Sequence, residues 1–148
     1  MSAGSRIAVV VVVAAGLGSM LRPAAVEAGS APAEITCTAE GTGETLSGII
    51  PRDSYEIELT LDDGKGHAHT WKDEERLTMV DAIDDQVLMM HVAETPELYL
   101  WAIPKTIRIE SKRHEAHGRF GAKARVLGFA SDTAPRVLAL SCRYDYAI

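Results

Sequence analysis

From residue 34 onward the chain alternates apolar and polar side chains again and again, and it nowhere sustains a helical period. In YEIELTL (55–61), Tyr55, Ile57, Leu59 and Leu61 share one parity, while Glu56, Glu58 and Thr60 share the other. Successive side chains of a strand point to opposite faces, so this segment reads as a half-buried strand. EITCTA (34–39) alternates Ile35 and Cys37 with threonines, and TIRIES (106–111) alternates Ile107 and Ile109 with charge. VLALSCRYDY (137–146) aligns Leu138, Leu140, Cys142, Tyr144 and Tyr146 on one face. Further strands are expected at 67–72, 77–83, 87–93, 98–103 and 119–129. Turn-forming segments such as GTGE, PRDS, DDGKG, ETPE and SDTAP separate them at the spacing of an antiparallel meander. The expected fold is all-β, a small antiparallel barrel or sandwich of about eight strands.

The first thirty residues stand apart from this pattern. MSAGSR carries one positive charge, IAVVVVVAAGLGSML is apolar, and AAVEAGSAPA is rich in small residues. Residues 1–28 therefore read as a signal peptide, with Val26 and Ala28 at the positions a signal peptidase recognises and Ala33 as the second choice of cleavage site. The apolar run is short for a bilayer span of about 20 residues, and Gly16, Gly18, Ser19 and Arg22 interrupt it. No membrane span is expected after cleavage. Residues 29–148 are enough for one domain with a core and too few for two. The expected compartment is periplasmic or secreted, and the excess of arginine over lysine, with abundant alanine, fits a GC-rich bacterial gene.

The export reading gives the two cysteines their meaning. Cys37 and Cys142 lie near opposite ends of the exported domain, and an even pair in an oxidising compartment is expected to close a disulfide. The loop exceeds 100 residues, so the chain-entropy account sets an upper contribution of about 4.7 kcal/mol. Neither cysteine belongs to a CxxC motif or has a histidine beside it, which argues for a staple over a redox or metal site.

Charge is divided along the chain. Residues 29–104 hold four Lys/Arg against sixteen Asp/Glu, and residues 105–148 hold nine against four, so the exported domain carries −7. A nucleic-acid partner is not expected of such a protein. The local run KRHEAHGRFGAKAR (112–125) could attract an anion, but it reads first as a solvated hairpin that complements the acidic half.

Two segments are apolar on both parities: VLMMHV (87–92) and LYLWAI (98–103). If Leu98, Leu100 and Ala102 face the core, Tyr99 and Trp101 face outward, and a strand apolar on both faces needs cover on both. Tyr99, Trp101 and Met90 are therefore the candidate binding surface, for a protein partner, a second copy or a small apolar ligand.

GHAHTW (66–71) raises a different chemistry. His67 and His69, two apart on one strand, could share a Cu, Zn or Ni ion if a third ligand such as His91 came near. With a five-residue loop at 62–66, His67 is expected opposite Leu61, His69 opposite Leu59 and Trp71 opposite Ile57. A slip by one would put His69 and Trp71 on the solvent face, and the value of burying Trp71 favours the first register.

Catalytic motifs are absent. Ser47 sits in TLSGI without a glycine-flanked elbow, no phosphate-binding glycine loop precedes a helix, and the paired acids lie in turn segments. The expected function is a non-catalytic exported binding or interaction protein. The alternatives are periplasmic metal binding through His67 and His69, and a structural or assembly role in the cell envelope.

Overall fold

The computed structural model describes residues 31–52, 56–72, 77–81, 89–93 and 95–148. The signal-peptide reading of residues 1–28 lies outside them, as does Tyr55. Among the described residues ten strands follow one another: β1 (Ala33–Ala39), β2 (Thr45–Ile50), β3 (Glu58–Asp62), β4 (Ala68–Trp71), β5 (Leu77–Asp81), β6 (Met89–Val92), β7 (Glu97–Ala102), β8 (Arg108–Lys112), β9 (Glu115–Leu127) and β10 (Arg136–Ala147). All pairings are antiparallel, and the sheet order is β4-β3-β2-β1-β10-β9-β7-β6-β5, with β8 beside β9 off that path. The sheet curls into a nearly closed barrel of the eight-strand kind, so the fold is the barrel of the two expected forms.

The curl brings one edge of the sheet toward the other. Trp71, in edge strand β4, donates its Nε1–H to the carbonyl of Pro96, in the turn between β6 and β7, at 2.6 Å. Its indole is fully buried, so one side chain supplies apolar area and satisfies its own donor.

Alternation decides what fills the interior. β1 buries Ala33, Ile35, Cys37 and Ala39 and exposes every residue between them. β10 buries Leu138, Leu140, Cys142, Tyr144 and Tyr146, the face expected from its sequence. Trp71, Tyr144, Ile35, Leu46, Leu59 and Leu100 are almost wholly shielded from solvent, so the interior is a packed core. Cys37 and Cys142 are directly opposed in the β1–β10 ladder and form the disulfide, with Cα atoms 4.0 Å apart.

Each end of the barrel is closed by an arginine. At the end holding the β1–β2 and β9–β10 connections, Arg136 pairs with the buried Glu44 at 2.8 Å and with Asp132, and its guanidinium lies over Phe129. Loss of water works against the Arg136 charge, but the bonds to Glu44 and Asp132 override it and raise its pKa above the ordinary value. At the opposite end Arg52 stacks on the Tyr146 ring at 3.8 Å and donates to the Tyr144 hydroxyl at 3.3 Å.

One expectation about the strands needs correction. TLSGII, not counted among the strands, forms β2 between β1 and β3. Its Gly48 has φ +138°, and a Cβ there would stand 1.9 Å from the Glu58 carbonyl oxygen. Only glycine lets β2 and β3 approach this closely, and that missing side chain is what broke the apolar alternation. The hairpin expected at 112–125 is there: Arg113 and His114 make its tight turn between β8 and β9, and β9, starting at Glu115, is also a wall of the barrel.

Candidate functional site

The β3–β4 hairpin places the histidines first. Its loop is five residues long, as expected, but runs from Asp63 to His67, so Asp62 pairs with Ala68, Leu61 with His69 and Leu59 with Trp71. The pairing is displaced by two residues from the expected one, which keeps the parity. Trp71 therefore does point inward, and His69 with it, half-buried and edge-on to the indole at 4.9 Å. The displacement comes from Asp63. Its Oδ1 accepts from the backbone N–H of Lys65 at 2.7 Å and of His67 at 3.1 Å, and its Oδ2 pairs with His67 Nδ1 at 2.8 Å. Desolvation would raise the Asp63 pKa, but the His67 side chain and the two backbone N–H groups prevail and lower it from 3.8 to about 2.

His67 is consequently exposed and turned back onto its own loop. His91, on β6, faces outward. Its ring stacks on Tyr99 with centroids 3.9 Å apart, and its Nε2 meets Glu97 at 2.9 Å. The structure does not bring His67, His69 and His91 together, and among the described residues no group of three or more His, Cys, Asp or Glu side chains could hold a metal ion.

Of the candidate surface residues, Tyr99 and Trp101 face outward, exposed and half-buried respectively, while Leu98, Leu100 and Ala102 face the core. Met90 is 2% exposed and belongs to the core, so it is not part of that surface. Ser47 lies on the outer face of β2, between Thr36 and Thr60 in the ladder.

The outer wall carries a feature that the sequence reading did not assemble. Across β1, β10, β9 and β8, Thr36, Arg143, Arg119 and Arg108 are directly opposed neighbours. One step along the strands, Thr38, Ser141 and Gly121 form the adjacent row. Gly121 lacks a side chain, and the Thr106 hydroxyl both receives its N–H at 2.8 Å and donates to the Ile103 carbonyl at 2.6 Å. Small residues thus floor a depression of about 710 Å³, edged by Arg119, Lys123, Arg143 and Glu40. A second of about 510 Å³ shares Arg119 and Arg143 and adds His117 and Asp145. A third of about 450 Å³ shares His117 and Asp145 and reaches Glu34 and Glu115. Together they make one open groove along β9 and β10 from Lys123 to Glu115, about 27 Å at ordinary strand rise.

Its charges differ in how they are used. Arg143 Nε pairs with Asp145 at 2.9 Å, and Arg108 donates to the carbonyls of Lys105 and Ile107. Among the described residues, the side chains of Arg119 and Lys123 have no hydrogen-bond or ion-pair partner. Trp101 is the cross-strand neighbour of Lys123 and Tyr99 that of Arg125, so the aromatic pair flanks one end of the groove. The signal was present in FGAKARV as charge on one parity, but its partners Ser141 and Arg143 are set by the β9–β10 register, and Thr36 comes from a strand remote in sequence.

No protein-family model, curated protein or solved structure matches this chain.

Proposed function

We propose that this chain is a small, exported, non-catalytic binding protein whose ligand or partner docks on the outer wall of the barrel. The observation that carries the reading is the groove along β9 and β10, where Arg119 and Lys123, unpaired among the described residues, stand beside a row of hydroxyls while the interior is filled by side chains such as Trp71, Tyr144 and Leu100. A pocket lined by a few convergent polar groups is where binding is expected of a protein of this size. The Cys37–Cys142 bond fits an oxidising compartment outside the cytoplasm, and no helix among the described residues is long and apolar enough to cross a membrane. Tyr99 and Trp101 remain part of this surface as its aromatic margin.

The test is native mass spectrometry of the mature, oxidised protein recovered from an exporting host, compared with Ser141→Trp. The indole would fill the depression from the solvent side and leave the core untouched. Any adduct or complex of the unaltered protein is expected to vanish in this variant, with the melting temperature unchanged. An adduct retained by Ser141→Trp and lost on Leu100→Ala would place the ligand inside the barrel and overturn the reading.

A further inference from the structure

We infer that the outer-wall groove takes a linear acidic glycan with spaced carboxylates, each separated from the next by neutral sugar. The inference rests on the reading that this wall is the binding face, and goes on to the chemistry of its ligand.

The groove is long, open and shallow, which suits an extended chain and not a compact molecule. Its cations sit at the centre and one end: Arg119 and Arg143 opposite each other, then Lys123 two strand steps further. An arginine fork binds a carboxylate through two parallel hydrogen bonds, and Arg119 has its whole donor set unengaged among the described residues. These cations alone would suit any polyanion.

The carboxylates decide between polyanions. Glu40 lies at the Lys123 end, Asp145 beside Arg143, and Glu34 and Glu115 at the far end. A densely charged polymer would lay anions directly against these groups, and the whole chain, at −6, would add to the repulsion. A sugar hydroxyl, by contrast, donates to a carboxylate. A chain with few charges and many hydroxyls therefore satisfies both kinds of site in the same groove. Its remaining hydroxyls meet Thr36, Thr38 and Ser141, all exposed on the floor and rim. Beside Lys123, the half-buried Trp101 offers a ring for a sugar to lie against.

A phospholipid surface fits less well. Such docking wants protruding apolar side chains, and the exposed large apolar residues among those described are Tyr99, Val137 and Ile148, none of which lines the groove. An acidic peptide would bring closely spaced charge and few hydroxyls.

The experiment is calorimetric titration of the mature, oxidised protein with hyaluronate oligosaccharides, whose carboxylated and neutral sugars alternate. Dextran sulfate, polyglutamate, phosphatidylglycerol vesicles and neutral dextran are titrated alongside. The hyaluronate chain is expected to bind more tightly than the others, and Arg119→Ala/Arg143→Ala to weaken it by about tenfold or more at unchanged melting temperature. Arg119→Lys, which keeps charge but loses the fork, is expected to recover only part of the loss. Preference for polyglutamate, dextran sulfate or vesicles would overturn the glycan assignment and leave the outer-wall reading standing. Hyaluronate binding that survives both the double variant and Ser141→Trp would overturn both. No heat with any titrant would overturn the glycan assignment, with Ser141→Trp in mass spectrometry remaining the separate test of the wall.

Discussion

Asp63 governs a tight loop whose titration has a predictable sign. Its carboxyl is held at about 2 against an ordinary 3.8 by His67 and two backbone N–H groups. A lowered folded-state pKa stabilises the loop above the unfolded value, and that contribution is lost as pH falls from 3.8 toward and through about 2. The amide resonances of Lys65 and His67 are expected to titrate together with a midpoint near 2. A midpoint at the unshifted 3.8 would mean that the Asp63 bonds do not hold the loop. Glycines make a second prediction at this scale. Gly48→Ala drives a methyl group into the Glu58 carbonyl at a φ that disfavours side chains, and is expected to cost about 3 kcal/mol or more. Gly41, at φ +80° with open space around it, should tolerate alanine for about 1–2 kcal/mol. Urea melts of the two variants give the ranking, and equal costs would show that the close approach of β2 and β3 relaxes.

At the level of strands, Trp71 closes the barrel by two means that mutation can separate. Trp71→Phe keeps most of the apolar volume but leaves the Pro96 carbonyl without its donor, an expected loss of about 1–3 kcal/mol. Trp71→Ala also opens a cavity and should cost about 3–5 kcal/mol. Equal losses in the two variants would show that the hydrogen bond contributes nothing to closure. Which strands exist was largely legible, because burial of one face imposes the period of two: Ile57, Leu59 and Leu61 all face inward, as does the whole apolar row of β10. β2 escaped because an inward glycine, Gly48, replaced the expected apolar residue. The β3–β4 register escaped by two positions, since parity follows from hydrophobicity but the loop's position follows from Asp63 hydrogen bonds. Met90 could not be assigned to a face while both parities of its segment were apolar.

Over the whole molecule, the division of charge along the sequence becomes a division in space. The arginine-rich third of the chain supplies β8, β9 and β10, which lie side by side, so Arg108, Arg119 and Arg143 meet on one wall. That site was illegible in the sequence because it depends on the registers of β8, β9 and β10, which alternation alone does not fix, and on β1, whose Thr36 lies 107 positions from Arg143. The disulfide makes the third prediction about stability. Cys37→Ala/Cys142→Ala is expected to lower stability by no more than about 4.7 kcal/mol, read from denaturant midpoints. A loss well beyond that would mean the bond also maintains packing between β1 and β10.

That same bond sets where the molecule can bear load. β1 begins and β10 ends at the same end of the barrel, and Cys37 and Cys142 join them four ladder positions in from Ala33. Tension applied between the start of β1 and the end of β10 would peel apart only the short flaps outside the cystine and then stop at a covalent link. Everything from residue 38 to residue 141 would lie in a mechanically slack loop, whereas Thr36, Arg143 and Asp145 of the outer-wall groove lie in the flaps that bear the load. A protein tethered by these two strands could be pulled without the loop closed by the cystine feeling the force, while Arg143 would be drawn away from Arg119 and the groove would open.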